Sequence, residues 1–265
     1  MTFEPLIRCF FSWKIWKDTF LIRVEIDPKS GLKASLRGDI LIVIDVLRFS
    51  SCIITGLAVG VKQFIPAATL NEARQIQKKD RTYLLAGERR GLKPKDFHFG
   101  NSPIEYKKSN LKGKTVIIST TNGTKALDYC KKSKLLLIAS FLNAYTLSKY
   151  IANYVSSEDN ISIILASQKN TIFLEDFICA GLLVSNISNM TQRQYLNDHA
   201  ILAKLAWNNT EDKLEKIIHQ GHHASYLKSI GFEEDVKFCI KRDIYDIVPK
   251  VTGNSISKIN VDKEI

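Results

Sequence analysis

Ile40–Ser51 reads ILIVIDVLRFSS and Val116–Leu127 reads VIISTTNGTKAL. Each is a β-branched, apolar run that stops at small polar or ionisable residues and then takes on a helical pattern. The first junction places Asp45 and Arg48 at a strand's carboxyl end. The second places Ser119, Thr120, Thr121, Asn122, Gly123 and Thr124 there. A helix N-terminus carries unpaired N–H groups and the positive end of the helix dipole, so both junctions suit an anion. Two such ends on one sheet point to an α/β enzyme that handles phosphate.

The same alternation runs outward from these segments. Strands are predicted at Phe20–Ile26, Ile40–Asp45, Gln63–Pro66, Thr82–Ala86, Thr115–Ser119, Leu135–Ala139 and Ile161–Ala166. Helices fall between them at Phe49–Gly60, Leu70–Lys79 (capped by Thr69), Gly123–Cys130 and Ala144–Tyr154. Asp27–Gly38 reads as a polar loop. From about Leu174 the chain turns helical, at Glu175–Ser188, Tyr195–Trp207, Glu211–Ile218, His222–Ser229 and Glu233–Cys239. A strand-like segment, Ile244–Val248, follows. The pattern implies a three-layer α/β/α fold with a largely parallel or mixed sheet and a mostly helical C-terminal part. Residues 20–265 form that domain, and residues 1–19 read as an N-terminal extension.

Composition narrows the function classes. With 38 basic and 27 acidic residues, the chain of 265 residues carries a net charge of +11. That balance favours anionic partners. The lysines are dispersed rather than gathered in a basic arm, and no zinc-knuckle or RNP-like motif occurs, so nucleic acid is not an expected partner. Arg8, Lys14 and Lys17 break the aromatic N-terminus too often for a membrane span, and no membrane association is expected. The five cysteines, Cys9, Cys52, Cys130, Cys179 and Cys239, have neither disulfide-framework nor zinc spacing, which suits a thiol-reducing cytoplasm.

Asp45 is the sharpest single residue. A carboxylate at the end of a buried strand must be solvated, paired or metal-bound. Its readings are Mg²⁺ ligand, nucleophile or general base, or else a helix cap or an ion pair with Arg48. Leu47 stands where a haloacid-dehalogenase pattern needs a second aspartate. In Ser119–Asn122 four consecutive polar residues exceed the needs of one cap, Gly123 permits close backbone approach, and Lys125 adds charge. Gly113–Lys114–Thr115 precedes its strand and lacks the Walker spacing, so it reads as a turn. The long loop Gly87–Pro103 carries Glu88, Arg89 and Arg90, and planar guanidinium forks suit tetrahedral anions. Glu175 and Asp176 begin a helix, where the dipole favours them; they could also join Asp45 around Mg²⁺. His222 and His223 read as capping or surface residues, and His98 as the better proton-transfer candidate.

The strings IDVLRFSS, GERRGLKPKDFHFGNSPIEY, STTNGTKAL, SFLNA and LEDFICAG, with the tail GHHASYLKSIGFEEDVKFCIKRDIYDIVP, resemble the 2-phosphosulfolactate phosphatase family of coenzyme M biosynthesis in order and spacing. The resemblance runs from about Phe20 to Pro249. It implies a Mg²⁺-dependent phosphatase, dimeric, that releases phosphate from (2R)-O-phospho-3-sulfolactate or a related 2-phospho-hydroxyacid. By position it carries catalytic roles to Asp45, Arg48, Glu88 and Arg89. Phosphate-binding roles pass to Asn101 and Ser102 of the Gly100–Pro103 turn, and to Thr120, Thr121, Asn122, Gly123 and Thr124. Metal-binding roles pass to Asp45, Glu175 and Asp176. The chain departs from the family pattern at Arg90, where a glycine is usual, at Phe49–Ser51, and at Ser167–Thr171. The alternative is a non-hydrolytic binding protein for an anionic phosphorylated metabolite.

Overall fold

Alternation along Ile40–Ile44 organises the layers. Ile40, Ile42 and Ile44 enter one hydrophobic core, while Leu41 and Val43 enter another on the opposite face of the sheet. A strand buried on both faces needs helices on each side, and the chain supplies them. The structure is a computed structural model that describes residues 21–154, 156, 159–167, 171–191 and 195–259. The N-terminal extension, and Lys169 and Asn170 of the turn before Glu175, lie outside the described residues.

The strands are β1 (Leu21–Glu25), β2 (Ile40–Ile44), β3 (Gln63–Pro66), β4 (Leu84–Gly87), β5 (Thr115–Ser119), β6 (Leu136–Ala139), β7 (Ile161–Leu165), β8 (Tyr195–Leu196), β9 (Pro249–Thr252) and β10 (Ser255–Lys258). The helices are α1 (Ser30–Arg37), α2 (Phe49–Ala58), α3 (Leu70–Lys79), α4 (Pro103–Lys107), α5 (Gly123–Cys130), α6 (Ala144–Tyr154), α7 (Leu174–Thr191), α8 (Asp198–Thr210), α9 (Leu214–Ile218), α10 (His222–Ser229) and α11 (Glu233–Cys239). One mixed sheet runs in the order β4-β5-β3-β10-β9-β6-β2-β7-β1-β8. The two outer blocks, β4-β5-β3 and β6-β2-β7-β1-β8, are parallel. The hairpin β9–β10 joins them by antiparallel pairing to β6 on one side and β3 on the other. The three-layer α/β reading and the helical C-terminal part both stand.

Three local expectations change. Asp27–Gly38 is not a loop: Ser30–Arg37 is helical and ends at Gly38. It has no side-chain cap, so the usual start signal is missing. Close packing on α5 holds it instead, where a Cβ at Gly31 would lie 2.5 Å from Cys130 Sγ. Tyr195 and Leu196 pair with β1, and Asn197 caps α8 by accepting the Ala200 N–H at 2.9 Å. Ile244–Val248 is not a strand, because its hydrogen bonds go to the short 3₁₀ turn Phe141–Asn143. Tyr245 N–H donates to Leu142 O at 3.1 Å, and Ile247 O accepts from Asn143 Nδ2 at 2.9 Å. The last strands follow it, around the two-residue turn Gly253–Asn254.

The tightest helix crossing is α7 on α8. A Cβ at Gly181 would lie 2.0 Å from the Ala203 carbonyl oxygen, which is backbone and cannot swing aside. Gly181→Ala is expected to lower folding stability by about 1–3 kcal/mol through overpacking, read as a lower urea midpoint at unchanged slope. An unchanged midpoint would show that the two helices have room to separate.

Candidate active site

Open α/β sheets bind ligands outside the carboxyl ends of their strands. Here the ends of β2, β4 and β5 meet the N-terminal part of α10 around a cleft of about 530 Å³. Its walls include Asp45, Arg48, Glu88, Arg89, Arg90, Asn101, Thr120, Thr121, Asn122, Phe173 and His223. Of the sequence-predicted residues, Ser102, Gly123, Thr124, Glu175 and Asp176 do not line it.

Asp45 stands at the start of α2 and in the cleft wall at once. Its Oδ1 accepts the Phe49 N–H at 3.2 Å and so caps α2, while the carboxylate also forms part of the cleft wall. Burial pushes its pKa up to about 7, with Glu88 and Glu175 adding to the rise, while His223 and the Phe49 N–H oppose it. The ion pair with Arg48 does not form. Arg48 instead donates to Asp235 Oδ2 and to Gly91 O, each at 2.7 Å, and stacks 4.0 Å from the Phe232 ring centroid.

The loop after β4 is tied down as firmly. At Gly87 φ is +143°, and a Cβ there would sit 2.1 Å from Ser119 O, so only glycine fits. Glu88 then bridges two backbone segments: Oε1 accepts from Thr121 N–H and Oε2 from Gly91 N–H, each at 2.8 Å. Arg89 holds the end of β5 through Ser119 O and Oγ. Asn101 Oδ1 is buried without a protein partner, whereas Ser102 caps α4 and donates to Asp235 Oδ1 at 2.7 Å. In the β5–α5 turn the Thr124 hydroxyl donates to Thr120 O, and Gly123 lies against Phe49, where a Cβ would come within 2.3 Å of the ring. Thr120, Thr121 and Asn122 are the part of the turn that meets the cleft. Lys125 is exposed and does not line it.

Behind Asp45 lies a rank of acids at the start of α7. Asp176 Oδ1 accepts the Val46 N–H at 2.8 Å, and burial together with Glu175 and Asp45 holds its pKa well above the usual range. Glu175 is 1 % exposed; its Oε1 meets His223 Nδ1 at 2.8 Å, and its Oε2 is buried without a partner. Burial lowers the His223 pKa, but the hydrogen bond and charge of Glu175 outweigh it and the net shift is upward. The carboxylate accepts from Nδ1, leaving Nε2 as the nitrogen available for proton exchange. His98 takes no part: it is exposed, and its Nδ1 accepts the Leu85 N–H. His223 and Asp235 were hidden because each needs a partner remote in sequence, Glu175 and Arg48. Their one local signal was an ionisable residue at the start of a helix.

Mg²⁺ sites commonly use one or two carboxylates, the rest being water and substrate phosphate. Among the described residues no three His, Cys, Asp or Glu side chains converge on one point. The orphaned Glu175 Oε2, beside the raised carboxyls of Asp45 and Asp176, nevertheless suits a divalent cation.

The family model described as 2-phosphosulpholactate phosphatase matches residues 27–254. A Clostridium perfringens protein named probable 2-phosphosulfolactate phosphatase is 37 % identical over 229 residues, covering 85 % of this chain and 91 % of its own. Proteins of the same name from Caldicellulosiruptor saccharolyticus and Thermotoga maritima are 35 % and 38 % identical, over 84 % and 80 % of this chain and 93 % and 88 % of theirs. With a family match over most of its length and relatives aligned nearly end to end, the chain belongs to the 2-phosphosulfolactate phosphatase family, a family of phosphoric monoester hydrolases.

Proposed function

We propose that this chain is a Mg²⁺-dependent phosphatase acting on (2R)-O-phospho-3-sulfolactate, or on a related 2-phospho-hydroxyacid. The observation that carries the reading is the convergence, on one cleft, of Asp45, the Thr120–Asn122 turn and His223, which Glu175 holds from behind. Asp45 would hold the metal, with Glu175 and Asp176 supplying negative charge behind it. When bound, Mg²⁺ supplies positive charge against the phosphoryl oxygens and acidifies a water molecule.

The chain's own groups do the rest. The hydroxyls of Thr120 and Thr121, the Asn122 amide and the N-terminus of α5 hold the phosphate oxygens. Arg89, pinned on Ser119, places fixed positive charge beside that turn. Hydrolysis joins a water oxygen to phosphorus, breaks the bond from phosphorus to the alkyl oxygen, and puts one proton on the departing oxygen. His223 Nε2 delivers that proton, and Glu175 keeps the imidazole protonated and oriented. An aspartyl-phosphate on Asp45 is the covalent variant of the same site. Cytoplasmic residence and a homodimer complete the reading: Cys52, Cys130, Cys179 and Cys239 are free thiols, and Ile201, Leu202 and Leu205 leave an apolar face exposed on α8. Among the described residues no helix is long and apolar enough to cross a membrane.

Phosphate release should be metal-dependent and should favour synthetic (R)-2-phospho-3-sulfolactate over 2-phospholactate and phenyl phosphate. Asp45→Asn should lower kcat by about 10³-fold or more. Folded protein that hydrolyses none of the three would overturn the enzyme reading and leave the binding role.

Stability should also depend on pH in a stated direction. Between about pH 4 and pH 7 the native state holds a proton on Asp45 that the unfolded chain has lost, so stability falls as pH rises through that window. His223 acts in the same sense: its raised pKa stabilises the fold fully below about pH 6.5, and that contribution is lost as pH rises through the folded value. The metal-free protein should therefore melt lower at about pH 8 than at about pH 5, and Mg²⁺ should restore the melting point chiefly at the higher pH. A flat profile would mean that Asp45 is already ionised at low pH. Equal Mg²⁺ effects at both values would remove Asp45 as the metal ligand.

A further inference from the structure

We infer that Arg90 selects the substrate of the proposed phosphatase by binding its second anionic group, the one that is not phosphate. The inference rests on that functional reading for the chemistry of the ligand, and on the structure for the residue.

Arg89–Leu92 is a two-residue reversal: Arg89 N–H donates to Leu92 O at 3.0 Å, and Leu92 N–H to Arg89 O at 3.2 Å. The central residues have φ of +51° at Arg90 and +74° at Gly91, the signature of a primed turn. Such a turn favours glycine or asparagine at its first central position, and a long side chain there costs stability. The turn is also clamped. Tyr226 donates its hydroxyl to Arg90 O at 3.1 Å, and a Cβ at Gly91 would press 2.7 Å from Ile230 Cδ1. The backbone therefore fixes where the Arg90 side chain departs, and that side chain lines the cleft while staying solvent-exposed.

The other guanidinium groups there are committed. Arg48 is held by Asp235, Gly91 O and the Phe232 ring, and Arg89 by Glu88 O and Ser119. Among the described residues of the cleft, Arg90 is the guanidinium with no hydrogen-bond or ion-pair partner. A free planar fork on a rigid turn at the cleft suits a sulfonate or carboxylate carried next to the phosphate.

The test compares wild type, Arg90→Gly and Arg90→Lys. Arg90→Gly suits the φ of the turn, so its urea midpoint should be no lower than that of wild type. It should raise KM for (R)-2-phospho-3-sulfolactate at least tenfold, with kcat within about threefold, and leave KM for phenyl phosphate within about twofold. 2-Phospholactate, which keeps the carboxylate and lacks the sulfonate, distinguishes the two anions: an unchanged KM assigns Arg90 to the sulfonate, and a raised one to the carboxylate. Arg90→Lys should recover part of the loss, because it keeps charge without the fork. Equal KM changes on all three substrates, or none, would overturn the inference while leaving the phosphatase reading intact. Calorimetric titration with 3-sulfolactate and with inorganic phosphate reads the same point without turnover. Arg90→Gly should weaken sulfolactate at least tenfold and phosphate less than twofold. Identical behaviour of the two proteins toward sulfolactate, whether both bind or neither does, would overturn it.

Discussion

The Arg48–Asp235 ion pair holds the site together. Its two members lie 187 residues apart, and both are almost completely buried. Arg48 is the N-cap residue of α2, in the short turn after β2 that also carries Asp45, and Asp235 belongs to α11 in the helical C-terminal part. The same Asp235 receives the Ser102 hydroxyl, and the same Arg48 grips the carbonyl of Gly91. One buried contact thus joins the end of β2, the loop after β4, the cap of α4 and the last helix. A buried charge without its partner costs about 3–5 kcal/mol, so these four segments take up their arrangement together. Arg48 is best understood as the support on which the cleft is built.

Around that support the charged groups divide into a partnered set and an unsatisfied acidic set. Glu88 faces two backbone N–H groups, and Arg89 faces the end of β5. Asp45, Glu175 and Asp176 crowd one another with His223 as their nearest relief. Such a cluster is stable only if it holds protons or takes up positive charge. The acidic set is therefore where a cation has most to gain, and the partnered set, Glu88 with Arg48 and Arg89, is what keeps the cleft in shape before anything binds.

Much of this was legible along the chain. The abrupt ends of the apolar runs at Asp45 and Ser119 located the strand termini, and the length of the segment from Gly87 to Pro103 marked it as something other than a connector. What escaped were features made by distant partners. The helix over Ser30–Arg37 has no cap and depends on Cys130 across the interface. The importance of His223 depends on Glu175, and no local pattern joins them. The family resemblance implies a phosphate-binding role for Ser102, and hydroxyl chemistry suggests one for Thr124; in the folded chain the first hydroxyl donates to a carboxylate and the second to a backbone oxygen. Residue type announced what each could bind, and packing decided whether it was free to do so. The C-terminal hairpin did leave a local trace, a Gly-Asn pair between short alternating runs, but Ile244–Val248 was the more apolar and drew attention from it.

The place of that hairpin has a consequence for how the molecule is made. β9 and β10 follow all the other described strands along the chain, yet they lie in the middle of the sheet, with Ile256 paired to Phe64. Until they emerge, β3 and β6 each present an open edge, and the two parallel blocks have no strand between them. Open edges invite pairing with other chains. The nascent protein thus carries two adhesive borders until the hairpin is made and seals both in a single event. A polypeptide truncated before Pro249 would be left unsewn along the centre of its sheet.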